Sequence, residues 1–134
     1  MIESLLIAVE PDDPSERVLR FGAWLGGAVD AETSILSVLE EPQRRDQLRS
    51  DYETQVRESI EQRLDWPDLA KVIVEDGMAA ETILEQAELE AIDLIVLGTH
   101  RQSSLERVVL GSVAESVMQE ATVPVLTVPP AVTE

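Results

Sequence analysis

Five short apolar runs punctuate the chain: SLLIAV (4–9), TSILSV (33–38), KVIV (71–74), DLIVLG (93–98) and VPVLTV (123–128). They are nearly continuous rather than alternating, the pattern of parallel strands covered on both faces. The segments between them carry helical periodicity. In DPSERVLRFGAWLGG, Asp13 predicts an N-cap, Pro14 the first helical position, and Gly26 with Gly27 the stop. In LRSDYETQVRESIEQRL, Leu48, Tyr52, Val56, Ile60 and Leu64 recur every four residues, one stripe on an otherwise charged helix. A third helix fits AAETILEQAELEA, and a fourth begins at Ser112. Phe21 and Trp24, three apart on the first helix, are expected to pack against the sheet.

Strand and helix in turn, ending on a strand, predict a doubly wound α/β protein: one open sheet of five parallel strands with helices on both faces. The 134 residues suit a single domain, 1–134. In such sheets ligands bind beyond the carboxyl ends of the strands, where the strand order reverses.

Composition narrows the partners. Ten Lys plus Arg against 27 Asp plus Glu give a net charge of −17, which disfavours DNA, RNA and anionic membranes. Nine of the ten basic residues are Arg, and the acidity predicts a salt-loving source, since about 1 M salt shortens the screening length to about 3 Å. There is no cysteine, hence no disulfide framework, thiolate metal site or thiol nucleophile. The start MIESLLIAVE is acidic where an export signal is basic, and its apolar run is short, so a cytoplasmic location is expected.

Against this background, GTHRQSSLERVVLGS (98–112) carries Arg101 and Arg107 against one Glu106. Gly98 and Gly111, with Ser112 opening a helix, supply backbone N–H groups and a positive helix end for an oxyanion. Ser112 with Glu115 also reads as a capping box that forms without any ligand. His100, the only histidine, has no nucleophile beside it and reads as structural or as a phosphate contact. With neither a Walker-type loop nor a Cys–His pair, the residues assign no catalytic group and no reaction.

GTHRQSSLERVVLGSVAESVMQEATVPVLTV resembles the carboxyl-terminal signature of the universal stress protein family, G-x-x-G-x9-G followed by Ser or Thr. LLIAVEPDDPSERVL resembles the family's opening strand and first helix, and VEDGMAAETILEQAELEAIDLIVLGTH its third strand through its fourth. The resemblance implies strand order 3-2-1-4-5, the adenine nucleotide alpha-hydrolase-like arrangement. It also implies a homodimer through the fifth strand (Val123, Val125, Leu126, Val128) and an adenine nucleotide, ATP or a relative with magnesium as counter-ion, between the first and fourth strands. Position by position, Ala8 and Glu10 stand where the family contacts adenine or ribose, and Val38 where a backbone group meets adenine. Gly98, Arg101, Gly111, Ser112 and Val113 fall on the phosphate loop.

Two departures matter. Glu10 replaces Asp, and Arg101 replaces the second glycine. A Cβ at position 101 resists a left-handed backbone by about 1 kcal/mol or more and fills space that phosphate would use. A guanidinium also holds phosphate oxygens through paired N–H groups, so Arg101 either obstructs or compensates. A degenerate nucleotide site is therefore expected, and a dimerisation module without nucleotide shares the same fold. A phosphoacceptor receiver is the remaining rival. Asp12, Asp13, Asp76 and Thr99 imitate its acidic pocket, yet the fifth strand lacks the lysine a receiver needs.

Overall fold

The computed structural model describes residues 1–11, 14–40, 49–63, 71–99 and 111–130. The strands are β1 (Ser4–Ala8), β2 (Glu32–Leu39), β3 (Lys71–Asp76), β4 (Leu94–Gly98) and β5 (Val125–Val128). The helices between them are α1 (Glu16–Val29), α2 (Arg49–Arg63), α3 (Ala79–Leu89) and α4 (Ser112–Glu120). All strand pairs are parallel and the sheet order is β3-β2-β1-β4-β5, as expected. The order reverses at β1, whose neighbours are β2 and β4.

Alternation along the strands divides the core into two layers. Leu5 and Ile7 of β1, with Leu94 and Val96 of β4, face Val18 and Leu19 of α1 and Ile60 of α2. Leu6 of β1, with Ile95 and Leu97 of β4, faces Ile83 and Ala87 of α3 and Ala114 and Val117 of α4. Ile60 is the residue of the expected α2 stripe whose burial is described; Leu48 and Leu64 lie outside the described residues. Arg57 of α2 donates to the Val72 carbonyl at 3.2 Å, tying that helix to β3.

Both ends of α1 differ from the sequence expectation. The cap is Ser15, whose hydroxyl accepts from the Val18 N–H at 3.2 Å, while Asp13 lies outside the described residues. The helix runs past Gly26 and Gly27 to Val29 and ends at Asp30, in the left-handed region at φ 57°. Gly22 and Gly26 are contact positions rather than stops: a Cβ at Gly22 would overlap the Ile7 side chain, and one at Gly26 the Thr33 hydroxyl. Two glycines one turn apart thus bring α1 close to the sheet.

The aromatic expectation is overturned. With Gly22 and Gly26 facing the sheet, Phe21 and Trp24 are turned away, 37% and 65% exposed. Their ring centroids lie 5.7 Å apart in a tilted pair. Among the described residues no helix is long and apolar enough to cross a membrane.

Candidate crevice between β1 and β4

β1 and β4 are neighbours in the sheet and end side by side. Ala8 is in register with Leu97 on one side and Leu36 on the other. Beyond Ala8, the Val9 N–H donates to the Leu36 carbonyl at 3.0 Å, prolonging the pairing with β2. The Ser37 hydroxyl, fully buried in β2, donates to the Val9 carbonyl at 3.0 Å. Both backbone groups of Val9 are thereby held, and Glu10, half-buried, follows at the lip. Glu10 has its own interaction partner.

On the β4 side, the Thr99 N–H donates to the Val128 carbonyl at 3.1 Å, extending the pairing with β5. The Gly111 N–H then donates to the Thr99 carbonyl at 2.8 Å. The chain that leaves at Gly98 is thus pinned on its return, and the amino end of α4 is fixed beside the carboxyl end of β4. Gly111 is the N-cap of α4, with φ −64° and ψ 149°, and Ser112 is the first helical residue. The expected Ser112–Glu115 capping box does not form: a glycine cap offers no side chain, and Ser112 sits one position too late. The first-turn N–H groups of α4 have no side-chain cap and carry the positive end of the helix.

Of the sequence candidates, Ala8, Gly98, Gly111, Ser112 and Val113 come together at the carboxyl ends of the adjacent β1 and β4, with Glu10 at the rim. Val38 lies in β2, two residues beyond the partner of Ala8, its side chain buried against the α3 and α4 layer. Arg101 and His100 lie outside the described residues. Sequence reasoning missed Ser37 and the backbone role of Thr99. Ser37 had one visible signal, a hydroxyl set between the apolar Leu36 and Val38. A cleft lies elsewhere, between the carboxyl ends of α3 and α4, lined by Leu84, Ile92, Ile95 and Val123. Among the described residues no cluster of His, Asp or Glu has metal-binding geometry.

Comparison with known proteins decides the lineage. A family model described as the universal stress protein family matches residues 1–129. The chain belongs to the universal stress protein family. Universal stress protein YxiE of Bacillus subtilis is 29% identical over 147 residues, covering 96% of this chain and 99% of that one. Universal stress protein MJ0531 of Methanocaldococcus jannaschii is 51% identical over 53 residues, covering 40% of this chain and 31% of that relative's length. The solved structure of MJ0577 superposes with a TM-score of 0.76 at 24% identity, covering 99% of both chains. A universal stress protein solved in complex with cAMP superposes with a TM-score of 0.69 at 18% identity, covering 97% of this chain and 98% of that one.

Membership in the universal stress protein family fits the sheet and removes the receiver. Flavodoxin-like receivers order their strands 2-1-3-4-5, whereas here β2 separates β1 from β3. Lys71, the sole lysine, opens β3 at the amino edge of the sheet, where it pairs with Glu90. Asp76, a candidate for the receiver's pocket, ends β3 at the far side of the sheet from β4 and is followed by Gly77 at φ 141°.

Proposed function

We propose that this universal stress protein domain is a regulatory module whose β1/β4 crevice receives an adenine nucleotide, ATP or a relative, with affinity lowered by Arg101. The observation that carries the reading is the pinned amino end of α4. Gly111 is tied to Thr99 beyond the carboxyl end of β4, the strand next to β1, and the helix's first N–H groups have no side-chain cap. Oriented backbone N–H groups at a helix start are suited to phosphate. The half-buried Glu10 is a hydrogen-bond acceptor for ribose or adenine. The cAMP complex of a universal stress protein of the same fold supports an adenine ligand for this crevice. With magnesium as counter-ion, the triphosphate would meet less repulsion from the −17 surface.

The module works as a homodimer through β5. Ile95 N–H donates to the Pro124 carbonyl and Thr99 N–H to the Val128 carbonyl. By alternation, the backbone groups of Val125 and Thr127 face away from β4 along the edge. Val123, Val125 and Leu126 are all half-buried there, and an apolar open edge favours pairing with a second copy. The nucleotide reading is tested by denaturing freshly purified protein and chromatographing what is released. Adenine nucleotide in the supernatant, repeated after purification in about 1 M salt, supports it. Its absence in both preparations, with no uptake on adding ATP, leaves the dimerisation module alone.

A further inference from the structure

We infer that the cleft between the carboxyl ends of α3 and α4 is a binding site for a small organic cation, an ammonium or amidinium carrying one ring or a branched alkyl group. The cleft lies where β4 and β5 begin, at the opposite edge of the sheet from the β1/β4 crevice. The inference holds whether or not that crevice takes nucleotide.

The cleft has an apolar floor and an acidic rim. Ile92, just before β4, and Ile95 within it are buried at its base, while half-buried Leu84 of α3 and Val123, ahead of β5, form its sides. Glu88 and Glu120, both exposed, stand at the rim, one on each helix. The volume is about 250 Å³. An apolar cavity of about 150 Å³ suffices for benzene, so a ring with a short arm fits. Drug-sized ligands occupy about 300–1,000 Å³, so the occupant is smaller than these.

The charge of the occupant follows from the helix ends. The carboxyl end of a helix carries partial negative charge, and Lys, Arg or His is favoured there. Here two such ends meet, and neither helix has a basic residue in its last turn. Glu88 sits in the last turn of α3 and Glu120 is the last residue of α4, so each adds like charge where the helix already has it. Among the described residues neither carboxylate has a cationic partner, because Lys71, the sole lysine, pairs with Glu90. Left alone, this arrangement opposes folding. A cation whose head group meets the rim and whose apolar body covers Ile92 and Ile95 relieves it.

Other occupants fit less well. An anion meets repulsion from the rim, and a metal ion finds no ligand cluster among the described residues. Ala91 adds to the apolar character. It lines the cleft as the first residue past the α3 cap, in the left-handed region at φ 51°, where helices commonly carry glycine. A methyl group is thus kept beside the floor despite the backbone strain it brings.

The test is an amide-detected NMR titration in about 0.5 M salt, which screens attraction to the overall charge of −17 beyond the first few ångströms. The probes are phenethylammonium, neutral phenethyl alcohol and anionic hydrocinnamate, alike in ring and arm. The variants are Glu88→Gln with Glu120→Gln and, as a control with equal loss of charge, Glu81→Gln with Glu85→Gln, two exposed residues of α3 outside the cleft. Far-UV circular dichroism establishes that each is folded; should the rim variant not be, the comparison of the probes on the wild-type chain decides by itself. The ammonium probe is expected to shift the amides of residues 84–95 and 120–123 and to bind about fivefold more tightly than the alcohol, with no shifts from the anion. The rim variant should bind the ammonium no more tightly than the alcohol, and the control should stay within about twofold of wild type. Equal affinity for ammonium and alcohol, shifts centred away from the cleft, or equal weakening by the two double variants overturns the inference. The absence of any shift at about 20 mM phenethylammonium overturns it as well.

Discussion

Gly22 of α1 sits directly over the side chain of Ile7 on β1, so close that a Cβ would overlap it. Ile7 is fully buried and has no free volume into which to retreat. Gly22→Ala is therefore expected to destabilise the fold by about 1–2 kcal/mol, the overpacking cost of about 1–3 kcal/mol outweighing the gain of up to about 1 kcal/mol from helix propensity. Gly27, in the same helix, has open space where a Cβ would stand. Gly27→Ala should raise stability by roughly 0.5–1 kcal/mol. Urea unfolding of the two variants checks the pair; equal shifts would mean that α1 does not approach β1 closely.

The same glycines explain what sequence pattern did and did not reveal. The strands were legible because near-continuous apolar runs leave little alternative, and each β element falls within or beside the run that predicts it. The strand order followed from the family resemblance, since periodicity is silent on which strands adjoin. Phe21 and Trp24 misled because a three-residue spacing says that two residues share a side of a helix, not which side. Gly22 and Gly26, one turn apart, mark the face that must come close to the sheet, and they force the aromatics outward. At the crevice, Gly98, Gly111 and Ser112 were visible as a spacing. The cap at Gly111 was not, because Ser112 with Glu115 satisfies a stronger local pattern than the one the backbone adopts.

Asp93 secures the start of β1. Its carboxylate accepts the N–H groups of Glu3 at 2.8 Å and Ser4 at 3.0 Å, and these two bonds, Glu3 first, hold its pKa below the usual carboxylate value. A carboxyl whose folded pKa is lowered adds stability above its unfolded pKa of about 3.9, and that stability is lost as pH falls through the folded value. Asp93→Ala should lower the urea midpoint at pH 7, and the gap from wild type should close as the pH is taken below about 4. A gap independent of pH would contradict the charge-assisted clamp.

Ser37 links the core to the crevice. Its buried hydroxyl holds the Val9 carbonyl at 3.0 Å, one residue before Glu10. Ser37→Ala should cost about 1–2 kcal/mol of stability. It should also weaken adenine-nucleotide binding at a temperature where the variant is fully folded, because the turn bearing Glu10 loosens. Unchanged affinity measured by calorimetry would confine Ser37 to a packing role.

The surface charge of −17 makes stability depend on salt. Screening between exposed carboxylates strengthens as the Debye length falls from about 10 Å at 0.1 M to about 3 Å at 1 M. The melting temperature is expected to climb steadily with potassium chloride over that range. A flat profile would argue against a salt-adapted chain.

The nucleotide reading turns on position 101, where the family pattern has glycine and this chain has arginine. Calorimetric titration of ATP with magnesium into the wild-type chain and into Arg101→Gly, side by side in about 1 M salt, tests it most directly. The expected result is weak binding by the wild type and roughly tenfold tighter binding by the variant, the equivalent of about 1.4 kcal/mol of relieved backbone and steric cost. Weaker binding by Arg101→Gly would contradict the obstructing role of the side chain, and no heat from either protein would contradict a nucleotide site between β1 and β4.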